Sequence, residues 1–183
     1  MIRLQIFVSI LMIAAVVPLV SIAQEAPYTG LETRQIKALS PEQIAEYKQG
    51  HGMGLALAAE LNGFPGPKHV LELSNELGLT SEQRRDVQDV YNTMHSAAVD
   101  LGEQIVEREA ELDELFVGGD IDEQSLQSHL TELASLQGEL RNAHLAAHLE
   151  TKSLLTVDQV DSYNQMRGYQ SQEHQHHPGN HGP

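Results

Sequence analysis

His144-Leu145-Ala146-Ala147-His148 places two imidazoles four residues apart. On a helix that spacing puts both on one face. Neutral ring nitrogens so paired are the usual start of a transition-metal site. His69 and His95 lie earlier in the chain, and His174, His176, His177 and His181 crowd its end among Gln, Pro and Gly. The chain has no cysteine. Any metal must therefore take nitrogen, oxygen or thioether donors, which suits Zn²⁺, Ni²⁺ or Cu²⁺. Met53, close to His51, adds a soft donor for copper. The paired histidines lack the glutamate of the zinc-protease helix, so no hydrolytic centre is expected. No nucleophile elbow, phosphate loop or paired-carboxylate arrangement is present, and the chain is read as a binding protein rather than an enzyme. The competing reading makes His144 and His95 half-buried, hydrogen-bonded helix residues, with His148 exposed.

These residues need long helices to position them. Val87, Val90, Met94, Ala97, Leu101, Ile105, Leu112 and Leu115 recur mostly at steps of three or four, the mark of one buried helical stripe. Leu126, Leu130, Leu133, Leu136, Leu140, Ala147 and Leu154 continue it on a second arm. Val117-Gly118-Gly119-Asp120 separates the two, with Asp120 and Glu123 expected as a fresh capping box. Two long helices with a short turn pack antiparallel. Residues equidistant from a turn centred between Gly119 and Asp120 then share a height. That pairs His95 with His144 and Tyr91 with His148. His144 also falls on the stripe, four after Leu140, and should point inward.

The rest of the chain frames this hairpin. Residues 1–23 carry Arg3, an apolar run and Ser21-Ile22-Ala23, the pattern of a cleaved secretory signal; the alternative is a retained anchor through residues 6–23. Residues 24–39 read as an extended lead-in. Leu-[Ser/Thr]-x-[Glu/Asp]-Gln occurs at 39, 79 and 155, each a capping box opening a helix. Between the first two lie a glycine-broken stretch from Gly50 to Gly54, a short helical run over 55–61, the turn Phe64-Pro65-Gly66-Pro67 and a helix over 69–77. A last helix spans 157–167. The helical domain is thus 40–168, and 169–183 is a polar, His-rich tail expected to be disordered. A formal charge of −15 argues against nucleic acid or anionic lipid as partner. The many Asp and Glu residues read as solvated helix faces. Aromatics at 4% and no Trp leave Leu, Ala, Val and Ile to build the core, so the fold class is all-α.

Two Leu-Thr-x-x-Gln phrases flanking a long hairpin behind a signal peptide resemble the LTxxQ family of Spy/CpxP-type periplasmic proteins. Ala147-His148-Leu149-Glu150-Thr151 is similar to that family's chaperone branch. The resemblance covers about 70–167. It implies a cradle-shaped, interlocked all-helical homodimer in the periplasm. The function expected there is ATP-independent stress chaperoning of unfolded envelope proteins together with divalent metal binding; the alternative is heavy-metal sensing or zinc, nickel or copper buffering, and a third is partnership with a membrane sensor. The metal-sensing branch implies ligands at places held here by His69, the Tyr91/His95 level, and His144 with His148. Leu73 stands where that branch has a second histidine, and His148 where it has a methionine. The acidic charge departs from the basic concave face of the chaperone branch.

Overall fold

Four capping boxes decide where the main helices begin. Ser40, Thr80, Asp122 and Thr156 each accept a hydrogen bond from the backbone N–H three residues on, and that residue's side chain accepts one from the cap's own backbone N–H. Each box satisfies two donors that a helix start otherwise leaves open. The computed structural model describes residues 27–169. The expected signal over 1–23 and the tail histidines His174, His176, His177 and His181 lie outside the described residues. Six α-helices follow in order: α1 (Pro41–Lys48), α2 (Leu57–Glu60), α3 (Pro67–Glu72), α4 (Ser81–Gly118), α5 (Glu123–Leu154) and α6 (Val157–Met166). The described residues contain no strand, and none of their helices is long and apolar enough to cross a membrane.

α4 and α5 are the long pair and pack along one another. The start of α4 lies beside the end of α5, where Gln83 Nε2 donates to the Leu154 carbonyl at 2.8 Å. Further along, Arg108 Nε pairs with Glu132 at 3.2 Å. Ala98 and Ile105 of α4 pack with Leu133, Leu136 and Leu140 of α5. Val87 joins Val70, Leu77 and Tyr163 in a second cluster, which fastens α3 and α6 to the pair. The apolar stripe is therefore real over most of its length, but Leu130 stands open to solvent at 47% exposure.

Several local expectations shift. The box opening α5 is Asp122 with Ser125, not Asp120 with Glu123. Gly119 ends α4 in the left-handed conformation (φ 74°), and the chain needs three more residues to turn before it can start again. The run over 55–61 is helical only across α2. The helix expected over 69–77 stops at Glu72 and gives way to turns that close at Gly78 (φ 62°). Residues 27–39 form turns and a short 3-10 helix (Leu31–Thr33) rather than an extended lead-in. They bury Ile36 and Leu39 against Val106 of α4.

The repeated phrases also meet in space. Gln83 Nε2 donates to Gln159 Oε1 at 2.9 Å, and Gln159 Nε2 reaches the Leu77 carbonyl at 3.3 Å. Each glutamine thus closes its own capping box and ties α4, α5 and α6 at one end. In a double-mutant cycle, Gln83→Ala and Gln159→Ala are expected to show a coupling of about 0.5–1.5 kcal/mol by urea denaturation. Strict additivity would mean that each glutamine serves only its own helix.

Candidate functional site

The end of α1, the following loop, α3, α4 and α5 line an open cavity of about 580 Å³. His51, His69, His95, His144 and His148 line it, together with Tyr91, Met94, Lys48 and Lys68. Four of these are histidines singled out in the sequence, and His95, Tyr91, His144 and His148 line the same cavity. The glycine-broken segment supplies the fifth imidazole, His51, and folds over the long helices as a wall. Met94, assigned by periodicity to the apolar stripe alone, contributes a thioether to the lining.

Each ring is held differently. His148 is buried, and its Nδ1 lies 2.7 Å from the Phe64 carbonyl. A carbonyl can only accept, so Nδ1 carries a proton and donates it. Gly66 lies flat against this ring: a Cβ there would stand 2.9 Å from Cε1 of His148. His69 Nδ1 bonds Glu72 Oε2 at 2.9 Å, and this bond is the main reason the Glu72 carboxyl lies below its ordinary range. A second group holding Nδ1 is how ligating imidazoles are oriented in metal sites. His95 packs edge-on against Tyr91, ring centroids 5.6 Å apart. His144 is 4% exposed, and its Nε2 is buried with no hydrogen-bond partner. Leaving such an atom unpaired costs about 1–3 kcal/mol. His129 Nδ1 is also unpartnered, but it lies about 20 Å away along α5 at 1.5 Å per residue.

Burial, then the charges of His148 and His95, hold the His144 imidazole below its ordinary value. Its ring is neutral and able to offer a lone pair. The linkage sign follows. The unfolded chain takes a proton near pH ~6.5 that the folded chain resists. The stability from this group is thus full above that pH and is lost as the pH falls toward the folded value. His144→Asn is expected to flatten the acid-side decline of stability between roughly pH 7 and 5. Parallel pH profiles for variant and parent, measured by urea midpoints, would exclude His144 as its source.

Sequence reasoning missed Glu60. It is 7% exposed, against the expectation that acids form solvated faces. Its Oε1 accepts from Tyr163 at 2.5 Å and Tyr169 at 3.1 Å, and its Oε2 accepts from the Gly66 N–H at 3.1 Å. Burial and this bond push the Tyr163 phenol far above its ordinary range, so it stays a donor. Glu60 Oε2 also lies 3.7 Å from His148 Nδ1, behind the ring as seen from the cavity. Among the described residues no group of three or more His, Asp or Glu side chains is gathered closely enough to hold an ion. The imidazoles share a cavity without meeting at one point. Comparison with protein-family models, curated proteins and solved structures returns no match to the chain.

Proposed function

We propose that the chain is an exported, non-catalytic binding protein of the LTxxQ type that senses or buffers a divalent transition metal, Zn²⁺, Ni²⁺ or Cu²⁺, in the histidine-lined cavity. The observation that carries this reading is the buried, unpartnered Nε2 of His144, in a lining it shares with four other imidazoles. The donor chemistry fits: burial holds the His144 imidazole below its ordinary value, and His148 and His69 are each oriented through Nδ1, as ligating imidazoles are. The proposed ligands are His144, His148, His95 and His69, with the tail histidines as a separate, looser set.

Calorimetric titration of the chain truncated after Tyr169 tests this. The truncated protein is expected to bind one of the three ions, and His144→Ala/His148→Ala to weaken that site at least ~10-fold, the smallest loss usual when a metal site is disturbed. Equal binding by parent and variant would sink the reading and leave metal binding, if any, to the tail.

A second reading rests on different side chains. Leu57, Leu61, Leu149 and Val157 are 55%, 56%, 59% and 77% exposed. Exposed apolar side chains bind another protein where they join into one surface. In this reading α4 and α5 form the antiparallel hairpin of a cradle-shaped homodimer, which holds unfolded envelope proteins without ATP or contacts a membrane sensor. Suppression of a model client's aggregation at equimolar protein is the expected result, reduced by Leu149→Glu. No suppression across several clients would remove the chaperone reading.

A further inference from the structure

We infer that the cavity takes its metal together with a small carboxylate chelator, the chain supplying imidazole nitrogens and the guest supplying oxygens. This rests on the metal reading above and adds the class of co-ligand. Volume is the first argument. A bare ion with its ligands around it needs no open space, whereas about 580 Å³ lies within the range of small-molecule pockets.

Charge is the second argument. The chain carries 26 acidic against 11 basic residues, yet no Asp or Glu lines this cavity, while Lys48 and Lys68 do. The acids close by are committed elsewhere. Both oxygens of Glu60 accept hydrogen bonds from Tyr163, Tyr169 and Gly66, and Glu72 holds His69. Asp100 borders an adjoining groove shared with His95, not this cavity. A divalent ion entering alone would thus meet imidazoles and two ammonium groups, with the nearest carboxylates, Glu60 and Glu72, set behind the rings of His148 and His69. A di- or tricarboxylate cancels the ion's charge and can pair with Lys48 on α1 and Lys68 on α3. The third argument is coordination. Among the described residues no three His, Asp or Glu side chains are gathered closely enough to hold an ion, and oxygen donors from a chelator would complete the set.

The test uses the chain with its tail, titrated with Ni²⁺ alone, citrate alone and the preformed equimolar Ni²⁺–citrate complex. Citrate competes for Ni²⁺, so at a simple metal site it weakens apparent binding. The expected result has the opposite sign: the complex binds at least tenfold tighter than Ni²⁺ alone. That gain should vanish in Lys48→Gln/Lys68→Gln, two exposed side chains whose replacement leaves the core intact. It should vanish also in His144→Ala. If citrate only competes while His144→Ala still weakens Ni²⁺ binding, the ternary site is wrong and the metal reading stands. Should His144→Ala and the parent bind Ni²⁺ alike, with and without citrate, both fall. Citrate binding as tightly without Ni²⁺ as with it would also overturn the ternary site.

Discussion

Glu60→Ala is expected to destabilise the chain by about 3–5 kcal/mol, the usual loss when one member of a buried charged network is removed. Three donors depend on that carboxylate: the Tyr163 and Tyr169 hydroxyls and the Gly66 N–H. Arg167 adds a weaker, half-exposed contact at 3.5 Å. Tyr163 is fully buried, so its hydroxyl cannot turn to water when its acceptor is gone. Each donor left unpaired in the interior costs about 1–3 kcal/mol, and these terms outweigh the small helical gain from alanine. Glu60→Gln should fall between, because its amide keeps one acceptor oxygen but turns a donor toward the Gly66 N–H or the tyrosines. At ~2–4 °C per kcal/mol for a chain of this size, the alanine variant should melt roughly 10 °C lower. Amide exchange across α6 should quicken first, since the carboxylate joins α2 to that helix. A melting loss under about 2 °C would show that apolar packing in the Val70–Tyr163 cluster holds α6 without it.

Such a network is hard to read from sequence because it belongs to no long periodic element. α2 has four residues, too few to show a buried face, and an acid beside Leu61 looks the same whether it faces water or a tyrosine. The long helices are a different case. Their stripes and the capping phrases at Ser40, Thr80 and Thr156 follow from local rules, and the boxes form where the residues say. His95 and His144, paired from one turn position, line the same cavity although the connection centres one residue later than read. Tertiary use of local motifs escaped. Gln83 and Gln159 read as box partners within their own helices, and nothing local says that their amides meet. His51 escaped likewise. Glycine-rich chain has no period, so its path over α4 is set by what it packs on.

Two glycines in long helices should respond in opposite directions to the same substitution. Gly138→Ala on α5 has nothing within 4 Å of its new Cβ. It should gain the helix-propensity difference, about 0.5–1 kcal/mol. Gly102→Ala on α4 has the same propensity gain, but its Cβ would stand 2.1 Å from the Tyr47 carbonyl oxygen and 2.7 Å from its carbon. Those are backbone atoms of α1 and cannot swing aside as a side chain would. The two helices must separate by more than an ångström, which disturbs Ile36, Leu39 and Val106 together with Ile44 and Tyr47 packed around them. Overpacking of this kind typically costs 1–3 kcal/mol, so the clash outweighs the gain and the net effect is destabilising by up to ~2 kcal/mol. The consequence reaches the site. Gly50, just past α1, would also crowd α4 if it carried a Cβ, at 3.0 Å from Val99, and Lys48 to Gly52 wall the histidine cavity. Lifting α1 should therefore weaken ligand binding there, while Gly138→Ala leaves it unchanged. Stabilisation by both substitutions, read from urea midpoints, would mean that α1 rides on α4 loosely enough to make room.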